Sequence, residues 1–574
     1  MTKLFVYMKG YTRECILSPL FKMLEACFEL FIPLVVASII DVGIKNNDSS
    51  HIVKMCLVMV ALGAIGLTCT LFAQYFAAKA SVGFVSKIRH SLFKHITSLS
   101  YTEIDTLGTS SLITRMTSDM NQVQSGVNLT LRLFMRSPFI VFGAMIMAFT
   151  VDASASLVFV VTIPLLSAVV FGIMLSTIPL YKKVQGKLDK VLNTSRENLK
   201  GVRVIRAFGL EQTEKKKFHS QTEDLSIGQR FVGKISAIMN PATYVIVNIS
   251  IAFLIWRGAI QVDYGNLTQG QVIALYNYMS QILIELIKLA NLIISITKAV
   301  ACGNRIQGVF EVKSSQQITK GDETVTDGEN MVVFKNVFLK YAKSPEYSLE
   351  NIDFKVKRGQ TVGIIGGTGS GKTSLINMIG RFYDATEGSV FVDGVDVKEY
   401  ELEDLRGKIG IVPQKAVLFK GTLRENLLWG DKDATDEEII EAIKLSQAKD
   451  VLDSKPEGLN FLVEEGGKNL SGGQRQRFTI ARALVGKPEI LIFDDSSSAL
   501  DFATDARLRR AIASLDYSPT VFIVSQRTSS IQYADIIVVL DDGKVVGIGK
   551  HEDLLSSCLV YSEIYSSQFK KEGM

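Results

Sequence analysis

The stretch 366–374, GGTGSGKTS, contains residue types that can bind a polyphosphate. It fits the pattern G-x-x-x-x-G-K-[ST] and lies between the strand-like QTVGII and the helix-like LINMIGRFYD, which is the context that this pattern requires. Backbone N–H groups of such a loop bind phosphate oxygens at the start of the helix. The predicted ATP-binding residues of the loop are Gly366, Gly367, Thr368, Gly369, Ser370, Gly371, Lys372 and Thr373. Lys372 would reach the terminal phosphates, and the hydroxyl of Thr373 would bind Mg²⁺.

Two adjacent carboxylates end a second apolar run. The sequence EILIFDD, residues 489–495, predicts a buried parallel strand with Asp494 and Asp495 at its carboxyl end, where open α/β sheets place ligands. Asp494 is the predicted Mg²⁺ carboxylate, and Asp495 is next to the place of an attacking water. Together with the glycine loop, these residues predict phosphoryl transfer from ATP to water.

The glycine loop and the two carboxylates lie in the second half of the chain, which has the composition of a soluble domain, whereas the first half is apolar. The 574 residues have 47% hydrophobic content, and long apolar stretches dominate residues 1–300. A membrane-spanning helix needs about 20 apolar residues. Six candidate spans are 16–40, 55–79, 129–151, 154–178, 239–261 and 271–299. The predicted fold is therefore an all-α six-helix transmembrane domain (1–305), a polar linker (306–330) and an α/β nucleotide-binding domain (331–574).

Charge and cysteine patterns indicate the orientation and exclude other classes. Basic residues concentrate in segments 79–128 and 179–238, so the positive-inside rule places both segments, the N-terminus and the C-terminal domain in the cytoplasm. We expect the helices to continue beyond the bilayer there, because structureless loops of that length are uncommon. The net charge of +5 does not indicate nucleic-acid binding. The six cysteines include no CxxC pair, which argues against zinc and a disulfide framework.

Some polar side chains fall inside the candidate spans. Glu25 and Glu29 share one helix face, and Gln281, Glu285 and Lys288 share another. Such residues face a cavity or a partner, and the alternative is that they are solvated or ion-paired. The aromatic and amide residues Tyr276, Asn277 and Tyr278 are compatible with an amphipathic or cationic substrate, although helix packing explains them as well.

The segment 469–484, NLSGGQRQRFTIARAL, contains LSGGQ, the signature of ATP-binding cassette proteins. With six spans before one cassette, the chain resembles a half-size ABC exporter. The resemblance implies that Tyr341 stacks on adenine, that Gln414 senses Mg²⁺, and that SALD, 498–501, with Asp501, meets a second cassette. It also implies that Ser471, Gly472, Gly473 and Gln474 complete an ATP site on that second chain.

The chain departs from the family at two positions. Asp495 occupies a position where a glutamate normally polarises water, and Gln526, in IVSQRTSS, occupies the position of a histidine that contacts the γ-phosphate. Aspartate is shorter by one C–C bond, about 1.5 Å, and a misplacement of about 1 Å can cost roughly 100-fold in rate. Glutamine cannot become cationic as histidine can. Both departures predict slow hydrolysis at this chain's own site.

The pattern resembles the degenerate subunit of bacterial heterodimeric multidrug exporters. It implies ATP-driven export of amphipathic compounds across the cytoplasmic membrane, with a second half-transporter that has Glu and His at the two departed positions. Membrane lipid is the other expected contact, and nucleic acid is not a partner. The alternatives are a homodimeric lipid or peptide exporter and an ATP-sensing regulatory membrane protein.

Overall fold

The computed structural model describes residues 1–316, 318, 328–496 and 500–569. The chain divides into two compact units. The membrane unit comprises Met1–Thr97 and Ser110–Val312, and the soluble unit comprises Ser98–Thr109 together with the described chain from Lys313 onward. The predicted end of the transmembrane domain at residue 305 and the predicted start of the nucleotide-binding domain at residue 331 remain predictions. Part of the predicted linker, 317 and 319–327, lies outside the described residues.

The first half of the chain is helical. Its helices are α1 (Thr12–Ser38), α2 (Ser49–Thr97), α3 (Tyr101–Leu107), α4 (Thr109–Thr114), α5 (Met120–Leu133), α6 (Arg136–Val151), α7 (Ala153–Lys200), α8 (Val202–Ala207), α9 (Glu211–Asp263) and α10 (Gln269–Phe310). A wider helical turn at Ile39–Ile44 follows α1, and another at Arg115–Asp119 lies between α4 and α5.

Among the described residues, six helical stretches are long and apolar enough to cross a membrane, and each contains one predicted span. The prediction of six spans is confirmed. The longest, Glu211–Asp263, has 53 residues, which at about 1.5 Å per residue gives a length of about 80 Å. A bilayer's hydrocarbon core is about 30 Å thick, so this helix continues well beyond it, as expected from the length of the basic segments.

The carboxylate of Asp41, in the wide helical turn after α1, contacts the first residues of α10. Thr268 and Gln271 form a capping box at the start of α10. Asp41 accepts hydrogen bonds from the Thr268 hydroxyl at 2.5 Å and from the Gly270 N–H at 2.8 Å. A Cβ at position 270 would lie 2.4 Å from the carbonyl oxygen of Ala37, so only glycine allows this close approach.

Several charged residues inside the spans are paired with one another. Glu285 is 3% exposed and accepts hydrogen bonds from Arg136 at 2.6 Å and from Ser137 at 2.8 Å. Glu29 also accepts from Arg136, at 2.6 Å. The structure therefore favours the ion-paired alternative for Glu285 over the cavity-lining one. Arg136 has no signal in the sequence alone, because it lies at the start of a mostly apolar helix.

A second ion pair joins α10 to the turn before α5. Arg305 donates two hydrogen bonds to the carboxylate of Asp119, at 2.9 and 2.6 Å. The carboxylate is 5% exposed, whereas the arginine side chain is 53% exposed. Two-pronged arginine–carboxylate pairs of this kind are strong and geometrically specific.

Replacing Asp119 with Asn should therefore destabilise the membrane unit by about 1.5 kcal/mol, because charge-assisted hydrogen bonds are lost while Arg305 can still be hydrated. The measurement is the apparent midpoint of thermal unfolding in an uncharged detergent. The matched control is Asp224→Asn, whose partner Lys187 lies at 3.5 Å in an exposed pair, with an expected change below about 0.5 kcal/mol. Equal shifts for the two variants would contradict this account.

The soluble unit contains an antiparallel sheet and a mainly parallel sheet. The strands are β1 (Asn330–Leu339), β2 (Leu349–Lys357), β3 (Thr361–Gly366), β4 (Glu387–Val392), β5 (Val395–Asp396), β6 (Ile409–Val412), β7 (Gly421–Thr422), β8 (Leu462–Val463), β9 (Ile490–Asp494), β10 (Thr520–Val524), β11 (Ile536–Asp541) and β12 (Lys544–Gly549). One sheet has the order β2-β1-β4-β5, and the larger one has the order β12-β11-β3-β10-β9-β6. In the larger sheet only the edge pair β11–β12 is antiparallel.

Helices connect and cover these strands. They are α11 (Lys372–Ile379), α12 (Leu402–Gly407), α13 (Leu423–Leu427), α14 (Asp436–Leu445), α15 (Lys449–Asp453), α16 (Gly472–Val485), α17 (Phe502–Ala513), α18 (Thr528–Ile531), α19 (His551–Ser557) and α20 (Leu559–Gln568). The strand β9 is buried along its whole length, which explains why its sequence is a continuous apolar run. An α/β domain following an all-α membrane domain is the predicted fold class, and it is confirmed.

Candidate nucleotide-binding site

Three neighbouring strands end at one edge of the larger sheet. The strand β10 lies between β3 and β9 and is parallel to both. Its last residue, Val524, is in register with Ile364 of β3 and with Asp494 of β9. The glycine loop after β3, the carboxylates at the end of β9 and Gln526 after β10 are therefore neighbours, although the chain separates them widely.

The glycine loop has backbone angles that side chains rarely allow. Gly369 and Gly371 have φ angles of +86° and +93°, and a Cβ at position 371 would lie 2.8 Å from the carbonyl oxygen of Ser348. Lys372 begins α11 and is 8% exposed. Its ammonium donates to the carbonyl oxygens of Gly366 and Gly367, at 3.0 and 2.5 Å.

Burial lowers the pKa of Lys372, and the nearby carboxylates, first Asp495 and then Asp494, act in the opposite direction. Asp494 is 8% exposed, and burial raises its pKa, opposed by a hydrogen bond from Thr373. The Thr373 hydroxyl lies 3.0 and 3.2 Å from the two carboxylate oxygens. A hydroxyl and a carboxylate at this distance, beside a loop of backbone N–H groups, form a donor set that suits Mg²⁺.

A cavity of about 510 Å³ adjoins these groups. The predicted site residues that line it are Tyr341, Thr368, Gly369, Gly371, Lys372, Thr373, Gln414, Asp494, Asp495 and Gln526. Further lining residues that the sequence reading missed include Ser344, Glu346, Tyr347, Ser374, Asp542 and Gly543. The Asp-Gly pair 542–543 indicates a hairpin turn, but nothing local in the sequence places that turn beside the loop.

The predicted adenine-stacking residue is held by other side chains. The Tyr341 hydroxyl lies 2.8 Å from the Ser374 hydroxyl, and the ring of Tyr383 meets the Tyr341 ring edge-on at 4.9 Å. Tyr383 in turn donates a hydrogen bond to Asp105 of α3, at 2.6 Å. Burial and the Asp105 hydrogen bond raise the pKa of Tyr383, so it remains a donor at neutral pH. The helix α3, which is part of the soluble unit, thus contacts Tyr383 beside Tyr341.

Asp495 and Gln526, the two positions that depart from the family, both line the cavity. Asp495 has a φ angle of +45°, and its N–H donates to the carbonyl oxygen of Val524 at 3.0 Å. Aspartate is among the non-glycine residues enriched in this left-handed region. Gln526 is exposed at the cavity. Both residues therefore lie on the side of the cavity formed by the ends of β9 and β10.

The LSGGQ segment lies apart from this cavity. Ser471 caps α16, with the Ser471 hydroxyl accepting from the Gln474 N–H and the Gln474 side chain accepting from the Ser471 N–H. Ser471 and Gly472 are exposed, and Gly473 is half-buried. None of these four predicted residues is among the described lining residues of the cavity. The segment is thus a helix cap that is open at the surface.

Asp501 also caps a helix and does not line the cavity. It accepts a hydrogen bond from the Thr504 N–H at 2.9 Å, at the start of α17. This hydrogen bonding lowers the pKa of Asp501, so the carboxylate is charged at neutral pH. Residues 498 and 499 of the predicted SALD contact lie outside the described residues.

Six long apolar helices, and a glycine loop and a hydroxyl–carboxylate pair beside one cavity, are the features of a multi-pass membrane protein with a nucleotide-binding unit. Residues 15–286 match the ABC transporter transmembrane region family, and residues 349–498 match the ABC transporter family. The chain belongs to the ABC transporter family and has the layout of a half-size ABC exporter. ABC exporters couple ATP hydrolysis to transport and work as dimers.

Similar proteins cover nearly the whole chain. YfiB of Bacillus subtilis, an uncharacterized ABC transporter ATP-binding protein, is 34% identical over 100% of this chain and 99% of its own. The ATP-dependent lipid A-core flippase of Escherichia coli K12 is 29% identical over 95% of this chain and 94% of its own. A bacterial Atm1-family ABC exporter solved with ATP bound has the same fold, with a TM-score of 0.79 and 23% identity over 98% of this chain and 99% of that one.

The contact between Thr373 and Asp494 yields a test of the Mg²⁺ site. Thr373→Val should abolish most of the Mg²⁺-dependent gain in ATP binding, because the hydroxyl is removed and the Asp494 pKa rises further without its hydrogen bond. Equilibrium binding of a fluorescent ATP analogue with Mg²⁺ and with EDTA measures this gain. The control Ser374→Ala removes a neighbouring hydroxyl that contacts Tyr341 instead, and it should leave the Mg²⁺ dependence unchanged. A normal Mg²⁺ response in Thr373→Val would remove this residue from the metal site.

Proposed function

We propose that this chain is the degenerate half of a heterodimeric ABC exporter of amphipathic compounds, with its nucleotide-binding unit in the cytoplasm. Its own site binds ATP and Mg²⁺ firmly and hydrolyses slowly. Its LSGGQ segment completes the active site formed by the partner's glycine loop. The observation that carries the proposal is the co-location of Asp495 and Gln526 at one side of an otherwise intact site.

The binding groups and the hydrolytic groups have separate roles in this proposal. The glycine loop and Lys372 bind the phosphates, Thr373 and Asp494 hold Mg²⁺ with Gln414 nearby, and Tyr341 stacks on the base. Hydrolysis needs in addition a carboxylate that reaches the attacking water and a group that stabilises charge at the γ-phosphate. Asp495 is one methylene short for the first task, and Gln526 is neutral for the second.

The exposed position of LSGGQ supports a site shared between two chains. Ser471, Gly472 and Gly473 form the N-terminus of the 14-residue helix α16, and backbone N–H groups there can bind a γ-phosphate. Because these residues do not line the chain's own cavity, the phosphate that they bind would belong to a second chain. Closure of two such units on ATP would then shift the spans from inward-facing to outward-facing.

Large exposed apolar side chains further support a second chain. Leu199 and Phe208, which flank α8, are 77% and 74% exposed. On the soluble unit, Phe419 and Trp429 stack at 4.2 Å and are 46% and 64% exposed. Adjoining exposed apolar side chains such as Phe419 and Trp429 form a surface that a partner chain can cover.

A homodimeric lipid exporter is the second candidate, favoured by the similarity to the lipid A-core flippase along 95% of this chain. In that case Asp495 would act as the working carboxylate in two equivalent sites. The two candidates differ in whether both sites of the dimer contribute equally to hydrolysis.

Site-selective variants distinguish these candidates. In the native complex, purified through this chain, Ser471→Arg should lower ATP hydrolysis roughly 100-fold, because it blocks donors to the partner's ATP. Lys372→Ala should lower hydrolysis less than tenfold while weakening ATP binding at this chain's site. Steady-state phosphate release and nucleotide occupancy measure the two effects. Equal losses of hydrolysis from both variants would contradict a degenerate site.

The purified chain without its partner offers a second test. It should hydrolyse ATP slowly, and the combined variant Asp495→Glu, Gln526→His should raise the rate by about 100-fold, since carboxylate reach and charge are both restored. Asp541→Glu is the control, because the same lengthening occurs at an exposed strand end that does not line the cavity. Rapid hydrolysis by the native homodimer would refute the proposal.

A further inference from the structure

A groove lies between the helices α7 and α9 of the membrane unit, and it encloses a cavity of about 550 Å³. Most of the side chains that line it are apolar, and on each helix they recur at intervals of three or four residues, which places them on one helix face. Val161 and Ile249 are 70% and 65% exposed, so the groove is open to the surroundings of the chain. The apolar lining residues include Leu157, Val161 and Leu165 of α7, with Ile246, Ile249 and Phe253 of α9.

Two hydroxyl groups in the lining already have partners within the protein. Thr162 of α7 and Ser250 of α9 are 2% and 9% exposed, and their hydroxyl oxygens lie 2.8 Å apart. The Thr162 hydroxyl also lies 2.7 Å from the carbonyl oxygen of Val158. Because buried polar groups with such partners need no further hydrogen bond, this part of the groove presents mainly apolar surface to a ligand.

One end of the groove has a cation with spare hydrogen-bond donors. The Arg257 guanidinium donates to the Ser154 hydroxyl at 3.4 Å. Within the described part of the chain this is its one hydrogen bond, and no carboxylate pairs with it. The carboxylate of Asp152 instead accepts from the N–H of Ala155, at 2.5 Å, and caps α7. A guanidinium has five N–H donors in a fork that suits a phosphate, so this end of the groove can bind an anion.

The cationic end of the groove coincides with the ends of two membrane spans. Ser154 lies at the start of α7, and Arg257 lies in the last two turns of α9. Trp256 and Tyr264, in the same part of the chain, are 60% and 75% exposed. Exposed tryptophan and tyrosine at the end of a span are typical of the membrane–water interface. Arg257 is therefore at the level where the phosphates of membrane lipids lie.

The length of the groove matches one leaflet of a bilayer. From Ser154 to Leu165, α7 rises by about 16 Å, at about 1.5 Å per residue. Half of a hydrocarbon core about 30 Å thick is about 15 Å. An acyl chain that starts beside Arg257 would therefore follow the apolar residues to the middle of the bilayer. A small water-soluble anion would leave those residues uncovered, and a helix of another chain would have to supply its own anion to Arg257.

We propose that the groove between α7 and α9 binds one membrane phospholipid. Its phosphate accepts hydrogen bonds from Arg257 and Ser154, and one acyl chain lies along the apolar residues. The phosphate gives the site its selectivity, because the surrounding lipid tails are as apolar as the groove. This inference goes beyond the proposed export function and does not depend on it, since neither ATP hydrolysis nor the partner's active site enters the argument.

The test is quenching of tryptophan fluorescence in the full chain, in an uncharged maltoside detergent without ATP. The chain has two tryptophans, and Trp429→Phe leaves Trp256, whose ring lies 5.7 Å from that of Phe253 in the groove. The probes are phosphatidylglycerol and diacylglycerol with the same brominated acyl chains. Half-maximal quenching by the phospholipid should need a concentration at least about tenfold lower, because only this probe has a phosphate. Equal concentrations for the two probes would overturn the inference.

Variants at the cationic end test the phosphate contact. Arg257→Gln should raise the half-quenching concentration of phosphatidylglycerol about tenfold and leave that of diacylglycerol unchanged. Arg257→Lys keeps the charge but loses the fork, so its value should lie between those of wild type and Arg257→Gln. The matched control Lys54→Gln removes an exposed cation near the start of α2 that is not among the described lining residues. Wild-type binding by Arg257→Gln, or an equal effect of Lys54→Gln, would contradict a phosphate site.

A second pair of variants tests the apolar part of the groove and remains informative if Arg257→Gln does not fold. Val161→Phe places a ring in the groove and should raise the half-quenching concentration of phosphatidylglycerol about tenfold. The matched control is Val160→Phe, because Val160 is 47% exposed and is not among the described lining residues. It should bind the probe as the wild type does. Equal values for the two variants would refute an acyl chain in this groove.

The assembled native complex distinguishes a lipid from a partner chain as the occupant of the groove. After washing in maltoside, native mass spectrometry of the complex should show one bound phospholipid more per copy of this chain in wild type than in Arg257→Gln. Equal lipid occupancy would mean that another chain covers the groove, and it would overturn the inference. Rapid hydrolysis by the homodimer would count against the degenerate site alone, because the lipid measurements contain no hydrolysis step.

Discussion

Parallel pairing of β10 with both β3 and β9 is the constraint on which the nucleotide site depends. Because parallel strands end at the same edge, the pairing brings Asp494, Asp495 and Gln526 to the glycine loop, which precedes them by at least 120 residues in sequence. The buried apolar strands β3, β9 and β10 fix the position of this edge. Polar residues that directly follow these strands therefore lie close together. The left-handed backbone of Asp495 and the hydrogen bond from its N–H to Val524 are consequences of the same packing.

A second constraint acts in the membrane unit, where charges need partners. Arg136 contacts carboxylates from α1 and α10, and this requirement holds three helices at fixed distances. Asp41 at the start of α10 and the pair Asp119–Arg305 near its other end act in the same way outside the apolar middle. A few hydrogen-bonded ion pairs thus join helices whose other contacts are mainly apolar packing.

The short helix α3 contacts residues around the predicted nucleotide site. The short helix α3 follows the second span in sequence, yet its Asp105 accepts a hydrogen bond from Tyr383, which packs on the predicted adenine-stacking Tyr341. The lysine Lys343 donates to the carbonyl oxygens of Asp105 and Thr106, at 3.3 and 3.1 Å. These contacts lie within the soluble unit, and they connect the predicted adenine-stacking residue to a short helix that follows α2 directly in the chain.

The sequence by itself determined the six spans, the glycine loop, the strand that ends in Asp494 and the family, because each depends on composition or on spacing within a short stretch. It also identified the departures at Asp495 and Gln526, since these are single residues in recognisable motifs. Only the tertiary structure decided that Glu285 pairs with Arg136, that Ser374 and Tyr383 hold Tyr341, and that the Asp542–Gly543 turn adjoins the loop. Those contacts join residues distant in sequence, and a lone polar residue has no local pattern that reveals its partner.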